Sequence, residues 1–281
     1  MPSRLPQKSF TTSNNCAIAY SLRPALQPGA QRLVLVHSLA LDGSIWDGVA
    51  ERLAGEAEIL TFDCRGHGQS CKSSGPFTTD LFAGDLAELF DHIGWRSAAV
   101  AGGSMGGCVA QAFAGNYPSR VDALGLIDTT GWYGKDAPKK WRERADAACL
   151  KGLASLVDFQ VTRWFSDRFR IDHPDPVKEM TDIFLANDVE CYAATCVMLG
   201  DADLRPYLAK LRMPVAVIVG DEDYATPVAM SRQLHEAIPG STLAIIPGGR
   251  HLTPVECPDE IAQHLLALLK RVRTGRTAAE A

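Results

Sequence analysis

Short apolar runs recur along the chain at Leu33 to Val36, Ile59 to Phe62, Ala98 to Ala101, Ala123 to Ile127, Val215 to Val219 and Leu243 to Ile246. None alternates with polar residues, so each reads as a strand covered on both faces, the pattern of a parallel sheet. Between them the period changes to that of a helix. Ile45, Val49 and Leu53 form one stripe, and Phe82, Leu86, Leu89 and Ile93 another, with Gly94 placed to end it. A last helix opens at Pro258 and Asp259, runs through Ile261, Leu265 and Leu268, and closes on Lys270 and Arg271, with 274–281 expected to fray. Near the start, segments around Ser9 to Thr12 and Ala17 to Leu22 predict an antiparallel hairpin beside the parallel strands. The fold class is therefore α/β, a mostly parallel sheet with helices on both faces. The rhythm breaks between Gly131 and about Pro206, where tryptophans, charges and three helix-like stretches replace it. Residues 1–130 and 206–281 are expected to form the core, and 131–205 an inserted helical cap. Functional loops of open parallel sheets gather beyond the carboxyl ends of the strands, so an insertion after the Ala123 to Ile127 strand would roof them.

Composition narrows the partners. With 46% hydrophobic residues, 281 residues are enough for one large core, and a net charge of -5 argues against general affinity for nucleic acid or anionic membranes. A small-molecule substrate is the expected partner. The chain has no run of eighteen apolar residues, and its first thirty carry charges and prolines, so neither a membrane span nor a signal peptide is expected. Eight cysteines without framework spacing then predict reduced thiols in a cytoplasmic protein. Cys64, His67 and Cys71 crowd one loop but lack a fourth ligand nearby, and the expectation is a site with no metal and no cofactor.

Chemistry concentrates in Gly102-Gly103-Ser104-Met105-Gly106, a G-x-S-x-G run between an apolar strand and a small-residue helix. A serine at such a turn is held in a strained conformation with its Oγ clear of the sheet. It needs a base and an orienting acid from later strands. His251 follows the Leu243 to Ile246 strand through the Pro247-Gly248-Gly249-Arg250 loop, whereas His92, His235 and His264 lie in helical patterns and His173 in a proline-broken loop. Asp221, Glu222 and Asp223 all follow the Val215 to Val219 strand. Asp223, furthest around that turn, is the candidate acid, with Asp221 its main rival and Asp128 an outsider. An oxyanion would rest on the backbone N–H of Met105 and on that of Leu39, in the loop after Leu33 to Val36. Arg65 and His67, set among glycines, read as a structural loop.

Over nearly its whole length the chain resembles the α/β-hydrolase family, through His37-Ser38-Leu39, Arg65-Gly66-His67-Gly68-Gln69-Ser70, Gly102 to Gly107, Gly220 to Asp223 and Gly249-Arg250-His251-Leu252. The order serine, aspartate, histidine is the one expected of that family. Within it the chain is most similar to 3-oxoadipate enol-lactonases of bacterial aromatic catabolism, through His37-Ser38-Leu39, Arg163-Trp164-Phe165, Tyr192-Ala193, Asp203-Leu204-Arg205 and Ala225-Thr226-Pro227. It departs at Ala40, where a glycine is common, at Gly103, where a larger residue is, and at Arg250 before the histidine. The resemblance implies an α/β-hydrolase fold and a serine lactonase acting through an acyl-serine, on an anionic lactone. Residues 131–170 hold nine Lys or Arg against five Asp or Glu, a local field suited to such a substrate. Trp132, Arg163 and Trp164 are the candidate contacts; Lys135, Lys139, Lys140, Arg142 and Arg144 read as solvated helix faces. Two other readings stay open: a carbon–carbon bond hydrolase of ring-fission products, or another small carboxylic-ester hydrolase, with the same triad; and a low-turnover ligand sensor on the same fold.

Overall fold

A computed structural model of the chain describes residues 7–27 and 29–279. Among these, eight strands form one sheet in the order β1-β2-β4-β3-β5-β6-β7-β8: β1 (Lys8–Thr11), β2 (Ala17–Arg23), β3 (Gln31–Val36), β4 (Ala57–Phe62), β5 (Ala98–Gly103), β6 (Val121–Ile127), β7 (Val215–Gly220) and β8 (Thr242–Ile246). The hairpin β1–β2 joins β4 antiparallel and every later pairing is parallel. All residues of β5 and β7 are buried, as unbroken apolar runs require of central strands.

Helix α1 (Asp47–Arg52) packs on one face with α11 (Thr253–Glu256) and α12 (Pro258–Ala279), while α2 (Thr79–Ile93), α3 (Met105–Asn116), α9 (Arg205–Leu208) and α10 (Val228–Ala237) succeed one another on the other. The stops of α2 are legible: the Thr78 hydroxyl accepts from Leu81 N–H, and Gly94 closes the helix at φ 72°. Helix α12 runs from Pro258 to Ala279. No single helix among the described residues is long and apolar enough to cross a membrane.

Between β6 and β7 run α4 (Ala137–Lys151), α5 (Val157–Trp164), α6 (Asp167–Asp172), α7 (Pro174–Leu185) and α8 (Val189–Asp201), with α4 packed along α8. A single bridge, Trp132 to Asp203, ties the two ends of this excursion together. Its underside is fastened to the loops beneath: Asn187 Nδ2 donates to Ala40 O (2.7 Å), and Leu252 N–H to Trp164 O (3.0 Å). Arg250 extends the same seam by donating to the carbonyls of Thr162 and Phe165 and pairing with Glu222.

One expectation fails at the hairpin. Cys16 and Cys71 form a disulfide, so the chain does not carry eight free thiols. The cause is tertiary: Cys71 N–H donates to Ala17 O and the Ser70 hydroxyl accepts from Ala19 N–H, which lays the 63–71 loop against β2. With Cys71 so bonded and His67 Nδ1 at Arg65 O (3.0 Å), Cys64, His67 and Cys71 do not converge on a common point.

Candidate active site

Ser104 occupies the single residue between β5 and α3, at φ 51° and ψ -114°, backbone angles that cost roughly 1–3 kcal/mol and persist only where neighbours enforce them. Here the neighbours are visible. A Cβ on Gly102 would stand 2.1 Å from Gly106 O, and one on Gly106 would stand 2.2 Å from Val36 O, so strand, turn and helix touch through backbone alone. Ser104 N–H donates to Ile127 O (2.9 Å), and the Ser104 carbonyl accepts from the Thr129 hydroxyl (2.7 Å). The elbow is thus pinned to β6 and its hydroxyl faces the cap.

The loops after β7 and β8 are pressed together equally closely. A Cβ on Gly220 would meet Gly249 O at 2.1 Å, and Glu222 N–H donates to Gly249 O. This contact sets Asp223 beside His251. His251 Nδ1 donates to Asp223 Oδ2 (2.8 Å), and the Ser104 hydroxyl donates to His251 Nε2 (2.9 Å). The three predicted residues are brought together in a continuous relay. Asp223 is held by further donors: Ala225 N–H and Thr226 N–H on Oδ1, and the Thr226 hydroxyl on Oδ2 (2.7 Å). Burial raises the Asp223 pKa, but the His251 imidazole and these donors outweigh it and leave the carboxyl below its ordinary value.

The rivals are occupied elsewhere. Asp221 is exposed and accepts from Gly248 N–H (2.7 Å), a turn contact. Asp128 is fully buried, accepting from Gly220 N–H, Thr253 N–H and the Thr253 hydroxyl. It therefore clamps the arm carrying Asp223 to the segment following His251. Burial, then the nearby Asp223 charge, push its carboxyl well above the usual range. Of the other histidines, His37 is held structurally: its Nδ1 is at Ser38 O and its Nε2 accepts from Cys64 N–H (2.9 Å). Burial lowers its pKa, and that of His67 falls to about 3. Arg65 makes a buried fork to Asp85, in keeping with a structural loop.

Leu39 lines a cavity with Ser104, and Met105 follows Ser104 in the chain. Met105 opens α3, where no intrahelical acceptor is available, and Leu39 lies in the turn between β3 and α1; neither takes part in the loop and cap hydrogen bonds. Ala40 completes that turn at φ 57°, the left-handed region, which explains why a glycine is the residue more easily placed there.

A narrow cavity of about 30 Å³ covers the relay. Its floor is Ser38, Leu39, Ser104, Thr226 and His251; its roof is Tyr133, Trp141, Arg144, Gln160, Arg163 and Trp164. A roomier cavity of about 310 Å³ near Arg23 and Asp63 touches no member of the relay.

Arg163 and Trp164 line the cavity as expected, but Trp132 does not, and this is a correction. Trp132 pairs with Asp203 in the bridge, so it and the next residue point to opposite faces. Trp132 lies under the Arg205 guanidinium (3.8 Å to the ring centroid), and Tyr133 takes the cavity side. Arg144 is a second correction. Rather than facing solvent, it turns inward, donating to the Tyr192 hydroxyl (2.6 Å) and to Gln160 Oε1 (2.9 Å). The period of α4 carried this signal: Ala137, Trp141, Arg144, Ala145 and Ala148 share its inner stripe. Arg163 stands between the rings of Phe159 (4.9 Å) and Tyr224 (5.6 Å). Cation–π contact with both rings holds the guanidinium at the cavity wall. Burial, then the neighbouring Arg144 charge, lower its pKa.

Comparison with known proteins gives the family. The model of the alpha/beta hydrolase fold family matches residues 31–257. The chain is 30% identical to 3-oxoadipate enol-lactonase 2 of Acinetobacter baylyi over 94% of its own length and 97% of the relative's. Among solved structures it superposes on the enol-lactonase from Burkholderia xenovorans LB400 with a TM-score of 0.89 at 29% identity, covering 94% of this chain and 100% of that one. A thermophilic esterase from Thermogutta terrifontis, solved with malate bound, gives 0.88 at 27% identity, over 95% of this chain and 99% of that one.

Proposed function

Because the chain belongs to the alpha/beta hydrolase fold family, we propose that it is a serine hydrolase that opens a small anionic enol-lactone through an acyl-serine, with 3-oxoadipate enol-lactone going to 3-oxoadipate. The observation that carries this reading is a serine–histidine–aspartate relay at 2.9 and 2.8 Å beneath a roof holding two arginines. Ser104 Oγ attacks the lactone carbonyl while His251 Nε2 takes its proton. Asp223 fixes the Nδ1–H tautomer and stabilises the imidazolium. The carbonyl oxygen gathers charge against the N–H groups of Leu39 and Met105. Ring opening leaves an acyl-serine and a departing enol oxygen, which receives the proton from His251; a water activated by His251 then releases the acid. The chain's own residues supply every step.

Substrate charge is the finer part of the reading. Arg163 brings a guanidinium to the cavity wall, and Arg144 reinforces the positive field. The enol-lactonases among its relatives and the malate bound to the esterase support the same reading. Arg163→Ala is expected to raise KM for the anionic lactone about tenfold or more, since a hydrogen bond to a charged group is worth roughly 1.5–3 kcal/mol. KM for a neutral ester such as p-nitrophenyl acetate should stay within about twofold on the same physical ground. Equal shifts on both substrates count against carboxylate recognition.

The assay that tests the reading follows the absorbance of enol-lactone, of a vinylogous ring-fission acid and of p-nitrophenyl acetate with one preparation of the purified protein. Turnover of lactone and ester, with little of the ring-fission acid, is expected. A preference for the ring-fission acid makes the protein a carbon–carbon hydrolase, and no turnover of any of the three makes it a sensor.

A further inference from the structure

Tyr133 enters none of the steps above, yet it stands at the reacting centre. It lines the same cavity as Ser104 and His251, and its side chain neighbours those of Ser104 and Cys108. Two contacts orient it. The bridge at Trp132 fixes the face to which it points, and its ring meets Trp141 edge-on at 5.2 Å between centroids. Neither neighbouring hydrogen is directed at it: Ser104 donates to His251 Nε2, and the Cys108 thiol donates to Thr130 O (3.6 Å).

A carbon bonded to Ser104 Oγ carries two further oxygens, the carbonyl oxygen and the ring oxygen that leaves. The N–H groups of Leu39 and Met105 serve the first. A second donor beside Oγ, on the cap side, is left with the second. Resting on the assignment of Ser104 as nucleophile, we infer that Tyr133 is a catalytic residue whose hydroxyl donates a hydrogen bond to the leaving oxygen as the ring opens.

The electron count is simple. The Oγ–C bond forms, the C–O ring bond breaks with its electron pair passing to the ring oxygen, and His251 Nε2 delivers the proton it took from Ser104. Tyr133 keeps its own proton throughout and only disperses the charge developing on that oxygen. Burial, followed by the adjacent Cys108, raises the Tyr133 pKa well above its ordinary value, so the phenol keeps its proton and remains a donor. The assignment also predicts selectivity: a donor at the leaving oxygen helps most when the leaving group is basic and least when it departs as a stable anion.

The test is Tyr133→Phe, which keeps the ring against Trp141 and removes only the oxygen. kcat/KM is measured for a series of acetate esters running from p-nitrophenyl acetate to ethyl acetate. We expect a loss of about tenfold or more on ethyl acetate, the size of one hydrogen bond to a developing charge, and less than about threefold on p-nitrophenyl acetate. The ratio of the two is taken on one preparation, so a partly folded sample does not alter it. Losses that are equal along the series, or no loss at all, overturn the assignment. Activity retained by a folded Ser104→Ala protein would instead bring down the nucleophile itself, a failure the ester series alone does not produce.

Discussion

Ser104→Ala is expected to lower kcat on the lactone about ten-thousandfold or more, the scale on which triad serines act, with a melting temperature close to that of the unaltered protein. The two halves of that expectation have separate physical grounds. Activity falls because the only oxygen facing His251 Nε2 at 2.9 Å is removed, and a residual rate over water comes from the backbone donors alone. Stability holds because the strain at φ 51° is borne by the backbone, and alanine pays the same cost there as serine. The hydrogen bonds that pin the turn, from Ser104 N–H to Ile127 O and from the Thr129 hydroxyl to the Ser104 carbonyl, involve main-chain atoms that the substitution leaves in place. Steady-state kinetics and a thermal melt on the same sample check both. A folded variant that keeps its turnover removes Ser104 from the chemistry.

Asp223→Asn carries the next largest effect, again about ten-thousandfold in kcat, and the surroundings of the carboxylate say why. Oδ1 receives the N–H groups of Ala225 and Thr226, so in the variant the amide oxygen stays at that position and the amide NH2 is turned toward His251. Two donors then face each other at Nδ1. The imidazole responds by moving its proton to Nε2, the atom that must accept from Ser104, and the base is lost. Asp221→Asn keeps the acceptor used by Gly248 N–H and should alter kcat by less than about threefold, as a substitution at an exposed turn does. Kinetics on the two variants side by side decide the acid, and the reverse ranking would reassign it to Asp221.

Much of this architecture was readable in the residues because it rests on local rules. Unbroken apolar runs give central strands, Gly94 marks a helix end, and Gly102 and Gly106 leave room for backbone contact. Each follows from steric or hydrogen-bond requirements of a few neighbouring positions. The choice of Asp223 over Asp221 was also accessible, since the position furthest around the turn is the one that reaches the neighbouring loop. What escaped depends on register or on distant contact. Nothing local separates Trp132 from Tyr133; the alternation is set by a bridge to Asp203, some seventy residues on. Cys16 and Cys71 lie 55 residues apart and meet only because the 63–71 loop lies against β2. Arg144 could have been found from the inner stripe of α4, but a basic residue on a charged helix reads as solvated until its partners, Tyr192 and Gln160, are known.

The cap is where substrate choice resides in this account. Its attachment to the core loops at Ala40, Leu252 and Arg250 couples the roof to both the oxyanion turn and the histidine arm. Arg250 and Ala40, which depart from the family pattern, sit at that seam.

The claim on which the account depends is that a substrate acyl group passes through a covalent bond to the oxygen of residue 104. Mixing the protein with excess p-nitrophenyl acetate, quenching in acid within the first turnover and mapping the peptides by mass spectrometry reads that bond directly. An acetyl group on the peptide carrying Ser104, formed together with a stoichiometric burst of nitrophenol, is the predicted result. Steady turnover with that peptide unmodified, or with the acetyl group on another residue, would contradict it.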